Sequence, residues 1–288
     1  MNQLARLSQR VFNTPLALHP AKAEVIIASL SERLGISKIY RVDGSTLALE
    51  PQALSGNWEG SNRAGYEVVG GIALIEISGT LVQKLGSLNP YSGMTGYDGI
   101  RQNIIMALQD KDVRAICLMI DSPGGEVAGC FDLADMIYAA RGNKPIWSIL
   151  DENAYSAAYA IASATDKIIV PRTGGVGSIG VITCHVDWSK AIAQAGLVVT
   201  FIAYGDQKTD GRPELPLLPE AEARYQADIN TMGELFVATV ARNRNLSTKA
   251  VKATQAGTFL GALGVEAGLA DAVLAPDAAF QLLLKEIS

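Results

Sequence analysis

Histidine is nearly missing from this chain: of 288 residues only His19 and His185 carry an imidazole. The three cysteines, Cys117, Cys130 and Cys184, are scattered and form no CxxC pair. So few ligands at such spacings exclude a metal cluster, and the thiols read as small buried hydrophobes in a reducing compartment. Positive charge is also short. With 24 Lys+Arg against 29 Asp+Glu the formal net charge is −5, and no basic block occurs. That excludes the footprint of a nucleic-acid binder and makes an anionic membrane surface a poor partner. Long apolar runs are absent too: stretches such as 115–120 fall far below the ~18–20 residues of a membrane span. The first eighteen residues lack the apolar core and small-residue cleavage site of a signal peptide. The expectation is a soluble cytoplasmic protein with no nucleic-acid partner, no membrane partner and no cofactor.

What is present is apolar bulk. Hydrophobic residues make up 49% of the chain, enough for a packed core, which excludes wholesale disorder. Residues 1–62 read as an N-terminal arm or small subdomain. Val25, Ile26, Leu30 and Leu34 space out a helix over 20–34, and a polar turn-forming run fills 55–62. Residues 63–288 alternate short apolar runs with helical patterns. Strands are predicted at 71–78, 114–120, 145–150, 167–170, 179–184 and 198–204. Helices are predicted at 97–108, 125–140, 156–164, 189–195, 219–243, 247–254 and 276–285. Near-continuous apolar strands alternating with helices imply right-handed βαβ units and a mostly parallel sheet covered on both faces, an α/β fold.

In such folds ligands gather where strands hand over to helices. Two junctions stand out. Asp121-Ser122-Pro123-Gly124-Gly125 closes a buried strand with a glycine pair. Glycines there let backbone N–H groups approach a ligand, as an oxyanion hole requires, or serve only to make an ordinary turn. At Ala154-Tyr155-Ser156-Ala157-Ala158-Tyr159 a turn becomes a helix of small residues. Ser156 is either its N-cap or a nucleophile, with the Ala157 amide as an oxyanion donor. A serine nucleophile needs a base. His185 is the only histidine of the main domain, and the alternative is a lysine made neutral by burial, from among Lys167, Lys190 and Lys208. Asp206 and Asp210 flank Lys208 and would hold it charged unless they point away.

In sequence order these segments resemble the S49 (signal peptide peptidase A-like) serine peptidases, which have the ClpP/crotonase fold. The landmarks are Ser78-Gly79, the Asp121–Gly125 turn, the Ser156 helix start, Gly177-Ser178-Ile179-Gly180-Val181, the loop around Lys208, and Gly264 through Asp271. The resemblance spans about residues 71–271. It implies a dyad of Ser156 as nucleophile and Lys208 as general base. It also implies oxyanion amides at Gly125 (with Gly124 shaping the turn) and Ala157, and a substrate cleft lined by Gly177 and Ser178. In short relatives the lysine can come from a neighbouring subunit, so a homo-oligomeric ring with sites at subunit contacts is expected.

Within the family the chain is most similar to phage head-maturation proteases. That implies polypeptide substrates of the scaffold or capsid kind, self-cleavage included, and a place in the host cytoplasm or phage prohead. Small or apolar residues are expected before the cut bond. Four rivals stay open: a bacterial cytosolic signal-peptide-peptidase-like protease, a ClpP-type Ser156–His185 pair completed by Asp187, an acyl-CoA hydratase or isomerase on the same scaffold, and a catalytically silent capsid-assembly protein.

Overall fold

A computed structural model of the chain describes residues 15–18, 65–85 and 93–288. The predicted helix at 20–34, the polar run at 55–62 and the proposed boundary at 62/63 lie outside the described residues.

Three parallel strands form the centre: β3 (Ile72–Ser78), β6 (Ala115–Ser122) and β8 (Ile146–Tyr155). β2 (Glu67–Val69) pairs antiparallel with β3 at one edge. Beyond β8 lie β9 (Lys167–Val170), beside its first half, and β10 (Gly175–Gly177), beside its last residues, both parallel to it. β11 (Thr258–Leu260) pairs antiparallel with β10, and β12 (Ala272–Val273) parallel with β9.

Alternation sorts the strand side chains onto two faces. Ala73, Ile75, Ile77, Ile116, Leu118 and Ile120 pack under α1 (Tyr97–Gln109), α2 (Cys130–Ala140), α3 (Ala157–Ser163) and the long α5 (Pro219–Arg244). Ile72, Ala115, Cys117, Trp147, Ile149 and Ile169 face the other way, where Ala279 and Leu283 of α8 (Pro276–Glu286) cover them. The shorter helices are α4 (Ser189–Gln194), α6 (Thr248–Ala253) and α7 (Ala262–Glu266). A second, small sheet has the order β1 (Leu16–Leu18), β7 (Gly124–Glu126), β4 (Thr80–Val82), β5 (Met94–Gly96). The α/β class and mostly parallel sheet agree with the reading from sequence.

Three expected elements are corrected. The helix expected at 125–140 begins only at Cys130, because Gly124–Glu126 runs extended between β1 and β4 and Gly129 breaks the chain with φ 83°. Residues 179–184 do not form the expected strand, since the place beside the end of β8 is taken by β10. The run 198–204 has no regular structure. Val198 and Ile202 are 92% and 99% exposed, so no partner among the described residues pulls this apolar segment into a sheet.

Arg141, just after α2, ties the scaffold behind the Ser156 helix. Its guanidinium donates to the carbonyls of Ser163 (2.9 Å), Ala164 (2.8 Å), Thr165 and Asn243 (3.3 Å), meeting carbonyl groups that the end of α3 leaves unpaired. Cys117 and Cys130 lie in the core, where burial pushes both thiols up to about 12. Since the thiolate is the reactive form, neither is expected to alkylate with iodoacetamide at pH 8 in the native protein, whereas both react after denaturation. Mass mapping checks this, and native-state labelling of either residue would contradict the packing.

Candidate active site

β8 is the longest strand among the described residues, and it overshoots its neighbour. Its register with β6 slips between Ile120 and Ser122, where β8 advances four residues to the two of β6, and it runs one residue past the end of β6 to deliver Ser156 at the head of α3. Ser156 has φ 55° and ψ −121°, a conformation that non-glycine residues avoid. Such strain costs on the order of 1–3 kcal/mol and persists only where the surroundings enforce it. Three neighbours do so here. The Ser156 N–H donates to the Gly177 carbonyl at 2.9 Å, all seven residues of α3 are buried behind it, and the Cys130 thiol reaches the Ala157 carbonyl at 3.6 Å.

The result is a serine 1% exposed whose side chain does not cap its own helix. Its Oγ instead reaches the Gly180 carbonyl at 3.5 Å, a long contact for a hydroxyl. The N-cap reading therefore fails on geometry. A sharp strand-to-helix turn that holds a serine in strain is also how hydrolases expose a nucleophile.

The glycine turn lies against this serine. Ser122 Oγ accepts from Gly124 N–H at 3.1 Å and donates to the Gly79 carbonyl at 2.7 Å, which fixes the turn. Gly124 has φ 102°. A methyl built on it would come within 2.9 Å of Ser156 Cβ and 3.0 Å of the Tyr155 carbonyl oxygen. On the opposite side of Ser156, β10 places Gly177 level with Tyr155, and Ser178 follows with φ 56° and its N–H donating to the Gly257 carbonyl at 2.8 Å. Gly124, Gly125, Ser156, Ala157, Gly177 and Ser178 thus meet in one place. The amide of Ala157, in the first turn of α3, has no partner within the helix.

None of the candidate bases hydrogen-bonds Ser156. Lys208 sits exposed on a 3₁₀ turn, Asp206–Thr209, and makes no hydrogen bond with the serine. Asp210 does not hold it, because that carboxylate pairs with Arg224 at 2.7 Å. Lys167 is engaged by Glu286 at 2.6 Å and lies over the Trp147 ring, while Lys190 is exposed on α4. His185 is partly buried, with neither ring nitrogen hydrogen-bonded to any described residue, and Asp187 accepts from Ser189 N–H instead of orienting the imidazole. Sequence reasoning missed β1, which lies directly against the glycine turn. Three residues with no periodic pattern carry no local signal of a strand.

Among the described residues no helix is long and apolar enough to cross a membrane, and no group of three or more His, Cys, Asp or Glu could hold a metal ion.

Comparison with known proteins adds the following. The sequence profile of Peptidase family S49 matches residues 139–287, which include Ser156 and Lys208 but not the glycine turn. Over 277 residues the chain is 39% identical to the head-tail preconnector protein GP5 of Enterobacteria phage P21 and 38% identical to the capsid assembly protease C of Escherichia phage lambda. Each alignment takes in 94% of this chain, but 55% and 63% of those proteins, so the chain spans little more than half the length of these relatives. A chloroplastic serine protease, SPPA of Arabidopsis thaliana, is 25% identical over 86% of this chain and 36% of its own length. Among solved structures, an enoyl-CoA hydratase from Shewanella pealeana matches with a TM-score of 0.49 and 11% identity over 77% of this chain and 72% of that one, a likeness too slight to carry an inference.

Proposed function

The chain belongs to peptidase family S49, and from that premise we propose that it is a serine endopeptidase of phage head assembly, with Ser156 as nucleophile and Lys208 of a neighbouring copy as general base. The observation that carries this reading is the strained backbone of buried Ser156 beside the Gly124-Gly125 turn. In the reaction Ser156 Oγ attacks a peptide carbonyl and Lys208, neutral, takes its proton. The amides of Gly125 and Ala157 hold the oxyanion, the proton passes to the leaving amine, and water frees the acyl group. Polypeptides of the scaffold and capsid kind are the substrates, and the chain's own polypeptide is one. The small residues around Ser156 favour a small or apolar side chain before the cut bond. The host cytoplasm or the prohead is where it acts.

A neighbouring copy as the source of the lysine accords with the surface around it. Leu197 and Leu218 (62% and 61% exposed) flank the bare residues Val198 and Ile202 on the segment that leads to and from Lys208. Burying that apolar area against a second copy is favourable by about 25 cal/mol per Å². Docking of the segment into another copy's cleft would bring Lys208 to that copy's Ser156.

The test is complementation. Ser156→Ala and Lys208→Ala proteins, each inactive alone, are refolded together and assayed on a peptide substrate. With the dyad split between copies, a 1:1 co-assembly regains about a quarter of wild-type activity, the share of contacts that unite an intact serine with an intact lysine. No recovery in verified mixed oligomers overturns the shared site. A fully active Lys208→Ala protein beside a dead His185→Ala one would move the base to His185. Failure of a fluorophosphonate probe to label Ser156 in the assembled wild type would favour a catalytically silent assembly protein.

A further inference from the structure

The edge of β7 beside the nucleophile is occupied by the chain's own N-terminal arm. β1 runs antiparallel to β7 with Leu16 opposite Glu126, Ala17 opposite Gly125 and Leu18 opposite Gly124. Val127 N–H donates to the Pro15 carbonyl at 3.4 Å. In an antiparallel pair, hydrogen-bonded positions recur every second residue, so the next one is Ala17 with Gly125. The Gly125 amide then points at the Ala17 carbonyl oxygen. This is the amide that the proposed mechanism gives to the oxyanion.

Ser156 lies just across. The methyl that would come within 2.9 Å of Ser156 Cβ when built on Gly124 would also collide with the Ala17 carbonyl oxygen. The Ala17 carbonyl oxygen and Ser156 Cβ therefore both lie within 3 Å of one point beside Gly124. Ala17 is fully buried, so the position accepts a small side chain and no larger one. Pro15, two residues upstream, has no N–H and offers only the carbonyl that Val127 uses. An extended peptide laid along a sheet edge, held by main-chain bonds and selected by alternate side chains, is how strand addition recognises polypeptides.

We propose that Pro15–Leu18 is a built-in substrate strand and that Ser156 cuts its own chain, or its copy's, between Ala17 and Leu18. The inference rests on the peptidase reading above. In the step, Ser156 Oγ bonds to the Ala17 carbonyl carbon and the Ala17–Leu18 C–N bond breaks. The serine proton passes through the base to the Leu18 nitrogen, which becomes a new amino terminus. Water then adds to the ester, restoring the Ser156 hydroxyl and leaving Ala17 as a carboxylate. Until the cut strand leaves, it blocks the edge that any other polypeptide must use.

The experiment uses the full-length chain as assembled, and reads intact mass, amino-terminal sequence and fluorophosphonate labelling of Ser156. Wild type is expected to begin at Leu18, and Ser156→Ala to retain the residues before it. Ala17→Trp, too large for its site, and Leu18→Pro, which keeps Ala17 but alters the leaving nitrogen, are each expected to slow the cut at least 100-fold while Ser156 still takes the probe. A labelled wild type that keeps residues 1–17, or is cut at a different bond, overturns the self-processing proposal and leaves the peptidase reading standing. Unimpaired cutting of both Ala17→Trp and Leu18→Pro also overturns it. If nothing labels Ser156 and the chain stays whole, the peptidase reading fails and takes this inference with it.

Discussion

Ser156→Ala is expected to lower peptide hydrolysis by roughly 10⁴–10⁶-fold, the scale on which other serine hydrolases respond to loss of their nucleophile. Ser156→Gly should be equally inactive yet more stable than the alanine protein. Alanine retains the φ of 55°, and with it the backbone strain, whereas glycine adopts that conformation freely. Relief of about 1–3 kcal/mol is partly offset by the 0.5–1 kcal/mol that glycine's freedom in the unfolded chain costs. Denaturant titration of the three proteins reads the difference. A glycine variant less stable than the alanine variant would show that the turn is unstrained, and residual hydrolysis above about one part in a hundred would remove Ser156 from the chemistry.

Gly125→Ala is expected to cause the greatest loss of stability of any single methyl added to the chain, above about 4 kcal/mol, with failure to fold at the extreme. The added carbon would meet main-chain atoms of Leu81, with the carbonyl carbon at 2.5 Å and the amide nitrogen at 2.6 Å. Neither can swing aside as a side-chain tip would, because Leu81 pairs with Gly125 inside the small sheet. Gly142→Ala is the control. Its φ is 83°, but its new methyl would meet nothing within 4 Å, so only the conformational penalty of about 1–2 kcal/mol applies. Urea unfolding of both variants separates crowding from conformation. Equal costs would mean that β4 and β7 do not cross as closely as described.

The central strands and long helices could be read from the sequence because their signal is local. Buried runs such as 115–120 and the pattern of α5 dictate their own conformations. Ser156, Gly124 and Gly125 could be singled out as candidates because residue types that suit a tight strand-to-helix handover stand together in the chain. Locally, however, a cap and an ordinary turn read as well, and only the order of the landmarks favoured the functional reading. What could not be read depends on distant partners. Gly124–Glu126 looks like the opening turn of α2 until β1 and β4 are placed on either side of it. Val198 through Tyr204 has the composition of a strand, yet a strand needs a neighbour, and none of the described residues supplies one. Lys208 could be named as a candidate base by its place among the motifs, but its sequence context does not say whether it would meet the serine of its own copy or of another. The φ of Ser156 was hidden as well, because strain is imposed by surroundings and leaves no mark on residue type.

The pairing of Ala17 with Gly125 joins positions more than a hundred residues apart through a strand of three residues. Closing so wide a loop carries an entropy penalty that so few main-chain bonds scarcely recover, and β7 must already be in place to receive them. The contact is therefore expected to form late as the chain folds, after β7 is in place. With Pro15–Leu18 cut as proposed, a newly made chain would present that strand to Ser156 only once the rest of the fold was finished, and its processing would double as a check on correct folding.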